Sequence, residues 1–225
     1  MKKILDWILP TPCVICLKLG APFCVGCKTS FVTSSLRFEI LGVPGFAIST
    51  YSAEAAVIVN SVKEKGVTSL IPYLAELIVP HWPEEFLHPV LVPIPSSPSN
   101  AKKRGFAHTS LMARALARRV AGASTRELLK SSRVRIDQVG LSPVDRAKNL
   151  EGAFRADLRG FLDGARPVVL VDDVLTSGAT MAEALDCLRA NGVEVAGFCV
   201  FARAGAHQPS VYKGRRPHAA QSKME

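Results

Sequence analysis

From about residue 46 the chain alternates between apolar runs with strand character and stretches of helical period. GFAISTY (45–51) reads as a strand, AEAAVIVNSVKEKG (53–66) as a helix closed by Gly66, and residues 68–79 as a second helix. PVLVPIP (89–95) is a short strand that runs out in prolines. Residues 106–121 are helical, with Leu111, Ala115 and Leu116 on one side and Arg114, Arg118 and Arg119 elsewhere. RELLKSS (126–132) fits either type; residues 143–150 look helical, and EGAFRA (151–156) turns to strand.

The pattern is clearest near the end. PVVLVD (167–172) is a continuous, valine-rich apolar run, suited to a central parallel strand buried on both faces. In 178–191, Met181, Ala184, Leu185 and Leu188 recur at i, i+3, i+4 and i+7, and Asn191-Gly192 supplies the stop. VEVAGFCVFAR (193–203) is the next strand. Strand, helix, strand is a βαβ unit with a right-handed crossover, so the fold class is α/β with a mainly parallel central sheet flanked by helices. Three divisions are expected: an N-terminal region over 1–45, the α/β domain over 46–203, and a disordered tail over 204–225. No internal repeat is visible.

Charge adds one feature. The net charge is +9, and residues 101–135 hold ten Lys and Arg against one acid, Glu127, which accounts for the whole excess. Such a segment suits phosphates, either on a small molecule or along a nucleic-acid backbone; a solvated helix face is the plainer reading. No apolar run reaches the roughly 18–20 residues needed to cross a bilayer. The start, MKKILDWILPTPC, imitates a secretory or lipoprotein signal, but Asp6 interrupts its apolar stretch and prolines flank Thr11 ahead of Cys13. A short amphipathic helix over Lys3–Leu9 and a cytoplasmic location are expected instead.

Four of the six cysteines, Cys13, Cys16, Cys24 and Cys27, form C-x2-C-x7-C-x2-C. Each C-x2-C lets one ion hold two thiolates, and two pairs complete a tetrahedral zinc site. Gly20 and Gly26 suit the tight turns. With four protein ligands the site is closed, so the zinc is structural, and it supplies folding energy to a knuckle that has almost no core. Two disulfides or an iron–sulfur cluster are the alternatives; disulfides do not suit a cytosolic chain. Cys187, in a helical pattern, and Cys199, in a strand pattern, read as small core hydrophobes.

Candidate chemistry concentrates in VVLVDDVLTSGATM (168–181). In open α/β sheets, ligands bind at the carboxyl ends of strands, where Asp172 and Asp173 are expected. Thr176, Ser177, Gly178, Ala179 and Thr180 open a helix whose free N–H groups and dipole favour a phosphate. Neither G-x4-G-K-[ST] nor G-x-G-x-x-G occurs. Carboxylates beside a phosphate must face something hydroxylic or cationic, and two ribose hydroxyls satisfy this. Capping of the following helix is the structural alternative.

This stretch closely resembles the phosphoribosyl-pyrophosphate (PRPP) motif of type I phosphoribosyltransferases. Together with the cysteine knuckle, VPIP at 92–95, KKRGF at 102–106 and QVGLSPVDRAKNLEGAF at 138–154, it resembles the ComF family, phosphoribosyltransferase-like proteins associated with competence and DNA uptake, including GntX-type members. The resemblance spans about residues 10–203. It implies a type I phosphoribosyltransferase-like fold, with Asp172 and Asp173 on the ribose hydroxyls and Thr176–Thr180 on the 5′-phosphate. It places Pro95, Ser96, Lys102, Lys103 and Arg104 near pyrophosphate, which travels with Mg2+. Gln138, Arg146 and Asn149 match a family signature without an assigned role. Lys63-Glu64-Lys65-Gly66 matches the family's basic stretch after the first helix. Where the family follows Arg-Gly-Phe with Asn-Gln, this chain has Ala107-His108-Thr109. His108 could replace that amide as a donor, but a surface histidine at a helix start is the expectation.

Two functions follow. One is a phosphoribosyltransferase that releases pyrophosphate on transfer to an unknown acceptor. The other is a non-catalytic DNA-uptake factor that contacts single-stranded DNA or a helicase partner through the knuckle and the 101–135 segment. Aromatics make up only 7% of the chain, so a base-stacking platform is not evident.

Overall fold

The structure is a computed structural model, and it describes residues 11–96, 105–132, 152–161 and 166–205. The expected helices at 3–9 and 143–150, most of the tail, and Lys102, Lys103, Arg104, Gln138, Arg146 and Asn149 lie outside these residues.

The strands are β1 (Leu36–Ile40), β2 (Val43–Thr50), β3 (Val90–Pro93), β4 (Ser124–Thr125), β5 (Leu129–Ser131), β6 (Phe154–Ala156), β7 (Val168–Leu175) and β8 (Val195–Arg203). The α-helices are α1 (Val25–Ser30), α2 (Ala53–Lys63), α3 (Ile71–Ile78), α4 (His108–Ala117) and α5 (Ala179–Ala190). The main sheet has the order β1-β2-β8-β7-β3-β4. Only the β1–β2 pair is antiparallel; β2–β8, β8–β7, β7–β3 and β3–β4 are all parallel. The mostly parallel α/β sheet is therefore as the pattern implied.

Side-chain alternation divides the core into two layers. Phe46, Ile48, Leu91, Val169, Val171, Cys199 and Phe201 pack with α2, α3 and α4 on one face. Ala47, Val90, Val92, Val168, Leu170, Phe198 and Val200 pack with α5 on the other. Cys199 is buried as expected; Cys187 lies on α5, half-buried, at the margin of the second layer.

Three findings differ from the pattern reading. β1 is an additional strand: Leu36, Phe38 and Ile40 alternate with Arg37 and Glu39 and pair along β2. The division expected at residue 45 falls inside β2. β7 does not stop at Asp172 but runs through both aspartates to Leu175, which pairs with Arg203. Backbone pairing is indifferent to side-chain polarity, and β8 is long enough to supply partners throughout. The ambiguous 126–132 stretch contributes β5, which pairs antiparallel with β6.

The knuckle packs on this body. Phe31 stacks on Phe201 of β8 at 5.7 Å, and Phe23 meets Tyr73 of α3 edge-on at 6.3 Å. Lys28 Nζ is 3.0 Å from Glu76 Oε2 of α3. Among the described residues, no helix is long and apolar enough to cross a membrane.

Candidate functional site

After β3 the chain leaves through α4 to β4, at the sheet's edge. After β7 it leaves through α5 to β8, in the opposite direction. The gap beyond the carboxyl ends of β3 and β7 is thus the switch point at which doubly wound sheets bind ligands. β3 ends at Pro93, and Ile94 N donates to Val171 O at 2.9 Å. Beyond that bond β7 continues without β3 beside it, and the next two residues are Asp172 and Asp173.

The alternation that builds the two core layers also separates the aspartates. Asp173 continues the face of Val169 and Val171, toward α2 and α4; Asp172 continues the α5 face. Lys63, the last residue of α2, brings Nζ to 2.8 Å from Asp173 Oδ2. His108, the first residue of α4, brings Nε2 to 2.9 Å from the same oxygen. Asp173 Oδ1 accepts from Val174 N at 2.7 Å, and Asp172 Oδ1 accepts from Asp173 N at 2.9 Å. Burial opposes ionisation of Asp173, but Lys63 and His108 outweigh it and hold the carboxyl well below the usual carboxylate range. For Asp172, burial and the neighbouring Asp173 charge prevail over the attraction of Lys63 and push it up to about 7.

The two aspartates are therefore not equivalent. Asp173 is a fixed anion already facing Lys63 and the His108 ring of its own chain, whereas Asp172 changes charge near neutrality. Oxygens of both and a ring nitrogen of His108 lie within 4.8 Å of one another. The expectation of a surface His108 is overturned: the residue is 6% exposed. Its Nδ1 is 3.4 Å from Ser96 Oγ, and the buried Thr109 Oγ1 donates to Ile94 O at 2.8 Å. Consecutive residues of α4 thus tie its start to the loop after β3.

On the other side of the aspartates, Thr176 and Ser177 are exposed, and Gly178 has φ +80° at the cap of α5. A Cβ at Gly178 would stand 3.1 Å from Ile40 Cδ1 in a backbone conformation that L residues rarely adopt. From Ala179 onward the first-turn N–H groups have no partner within the helix and carry its positive end. Asp172, Asp173 and Thr176–Thr180 are thus together at one strand end, with Ser96 across the gap linked through His108. In the sequence Lys63 is only part of a basic stretch; its placement at the end of α2 makes it Asp173's partner. The basic face of α4 is partly neutralised: Arg114 Nη2 is 3.5 Å from Glu127 Oε1, and Arg119 Nη2 is 3.4 Å from Glu76 Oε1.

The cysteine cluster suits a tetrahedral ion. The sulfurs of Cys13, Cys16, Cys24 and Cys27 lie within 4.8 Å of one another, and all four cysteines are free. Cys16 Sγ and Cys24 Sγ are 3.7 Å apart, far beyond a disulfide bond. Two thiolates on one tetrahedral zinc would be about 3.8 Å apart. Burial raises the Cys13 thiol, but N–H groups of Cys16, Cys24 and Ile15 outweigh it and bring it down to about 6. Backbone donors directed at that sulfur suit a thiolate ligand. Neighbouring thiols, Cys16 first, push Cys27 up to about 12, which is the crowding a cation would relieve.

The doubly wound sheet and its switch-point site define a phosphoribosyltransferase-like protein, and residues 109–216 match the phosphoribosyl transferase domain family. Competence protein F of Haemophilus influenzae is 33% identical over 104 residues. The match covers 46% of this chain and 45% of that protein, so it spans about half of each. Together these findings make the chain similar to a competence protein and to the phosphoribosyl transferase domain family.

Proposed function

We propose that the switch-point site binds PRPP or a related ribose 5-phosphate ligand, and that the protein transfers the phosphoribosyl group to an acceptor with release of pyrophosphate. The observation that carries this reading is the position of Asp172-Asp173 between the left-handed Gly178 turn and Ser96, at the carboxyl end of β7. The N–H groups of Thr176–Thr180 hold the 5′-phosphate. Asp172 accepts from a ribose hydroxyl, while Asp173, held by Lys63 and His108, fixes the strand end and presents what remains of its acceptor capacity. Ser96 lies at the pyrophosphate end, and Lys102, Lys103 and Arg104 are the cations the resemblance assigns to it; Mg2+ travelling with pyrophosphate would offset its charge.

In the transfer, the bond from the anomeric carbon to pyrophosphate breaks and the leaving group keeps the electron pair. A lone pair of the acceptor forms the new bond, and the acceptor loses its proton. Charge grows on pyrophosphate, so cations and preorganised donors at that end supply most of the catalysis. Cys13, Cys16, Cys24 and Cys27 would hold a structural Zn2+ that fixes the knuckle. Calorimetric titration with PRPP and Mg2+ tests the reading: wild type should bind, and Asp172→Ala/Asp173→Ala should not. A wild type that takes up no PRPP removes it.

A second reading is a competence factor, as the name of its Haemophilus relative suggests, that contacts single-stranded DNA or a helicase partner in our proposal. The knuckle supports a contact role, because Leu17, Leu19, Val25 and Val32 are all more than 60% exposed. In this case DNA affinity falls steeply with salt and with removal of Arg114, Arg118 and Arg119. Absent or salt-insensitive binding argues against it.

A further inference from the structure

We propose that His108 is a positioning residue that couples anion binding at Ser96 to uptake of one proton, so that a diphosphate-bearing ligand binds more tightly as pH falls. This rests on the ligand reading above and adds to it a residue and a pH dependence.

The geometry is a chain of three groups from three elements. Ser96 follows β3, His108 begins α4 and Asp173 belongs to β7. His108 Nε2 is 2.9 Å from Asp173 Oδ2, and Asp173 is held ionised, so Nε2 carries the hydrogen rather than a lone pair. In a neutral ring the other nitrogen, Nδ1, is then an acceptor, and among the described residues Ser96 Oγ lies beside it at 3.4 Å. Ser96 has one hydroxyl proton. Given to Nδ1, it is lost to a ligand, and Ser96 presents lone pairs to an incoming phosphate oxygen.

A proton from solvent on Nδ1 reverses this. Nδ1–H donates to Ser96 Oγ, and the Ser96 hydroxyl turns to donate to the anion. The added positive charge sits on the ring that touches Ser96. Among the described residues, the charged groups facing the ring are Asp173 and Asp172 from β7 and Lys63 from α2. On its own helix Arg114 is engaged by Glu127. The ionised Asp173 balances a second positive group beside Lys63. By linkage, if the anion favours the protonated ring, the protonated ring favours the anion by the same factor.

The probe is pyrophosphate with Mg2+, followed by PRPP, titrated calorimetrically at a series of pH values from about 6 to about 8.5. Titration in buffers of different ionisation enthalpy counts the protons taken up. The ligand's own ionisation is common to all variants, so the comparison is wild type against His108→Asn. Wild type should lose affinity with rising pH more steeply than the variant, by up to about tenfold per pH unit, with up to one extra proton taken up on binding. Thermal melting checks that the variant folds. Ser96→Ala, which leaves His108 on Asp173, should abolish the same excess. Equal pH profiles and equal proton uptake in wild type and in folded variants overturn the role of His108 and leave the ligand reading intact. A wild type that binds neither pyrophosphate nor PRPP at any pH removes both.

Discussion

At neutral pH Asp173 carries its charge between Lys63 Nζ at 2.8 Å and His108 Nε2 at 2.9 Å, while Asp172 is pushed up to about 7. The two residues therefore affect stability with opposite signs. The folded chain keeps a proton on Asp172 between about pH 4 and pH 7 that the unfolded chain releases. Over that window Asp172 makes stability fall as pH rises. Asp172→Asn removes this loss: its melting temperature, measured against wild type, should gain steadily from pH 4 to pH 7 and level off above. The stabilisation from Asp173 is present above its unfolded value near pH 4 and is lost as pH falls below it. Asp173→Asn leaves Lys63 and a buried His108 without their anion. It should cost about 3 kcal/mol at pH 7 in urea denaturation, with the cost shrinking toward pH 3. Equal effects of the two substitutions at pH 7 would contradict the division of roles.

The turn between β7 and α5 makes a separate demand. Gly178 has φ +80°, and a Cβ added there would stand 3.1 Å from Ile40 Cδ1, so alanine meets both backbone strain and a neighbour. Gly178→Ala should cost about 1–2 kcal/mol in denaturant unfolding, and it should weaken PRPP binding because the loop shifts. Retention of full stability would mean that the turn relaxes into another conformation. Strand lengths show how local patterns mislead. VVLVDDVL ends as an apolar run at Val171, yet pairs with β8 through Leu175. LRFEI has clear period two, yet it falls within the N-terminal division drawn over 1–45. Ser52 caps the start of α2: its Oγ accepts from Ala55 N at 3.2 Å.

The knuckle and the sheet form one packed unit through Phe23, Phe31, Tyr73 and Phe201. Cys13 and Phe23 are buried in the first layer, but most of both layers is built from residues outside the knuckle, so the metal is expected to fix the knuckle more than the sheet. Elemental analysis of protein prepared without chelator should give one zinc per chain. Cys16→Ser should abolish that zinc and lower the melting temperature, while far-UV circular dichroism stays close to wild type. Absence of zinc from freshly prepared protein would rule out the assignment.

The α/β class, the order of most elements, the cysteine spacing and the aspartate–TSGAT stretch were all legible in the chain, because each depends on near neighbours: a period, a cap, a spacing of three. The partners of Asp173 were not. Lys63 lies 110 positions before it and His108 65 before it, and only the crossovers that place the end of α2 and the start of α4 over β7 bring them together. No periodicity encodes a distance between side chains on three different elements. That long-range closure is what turns two adjacent, identical residues into a fixed anion and a titrating one, and it is why a histidine at a helix start is buried in the site.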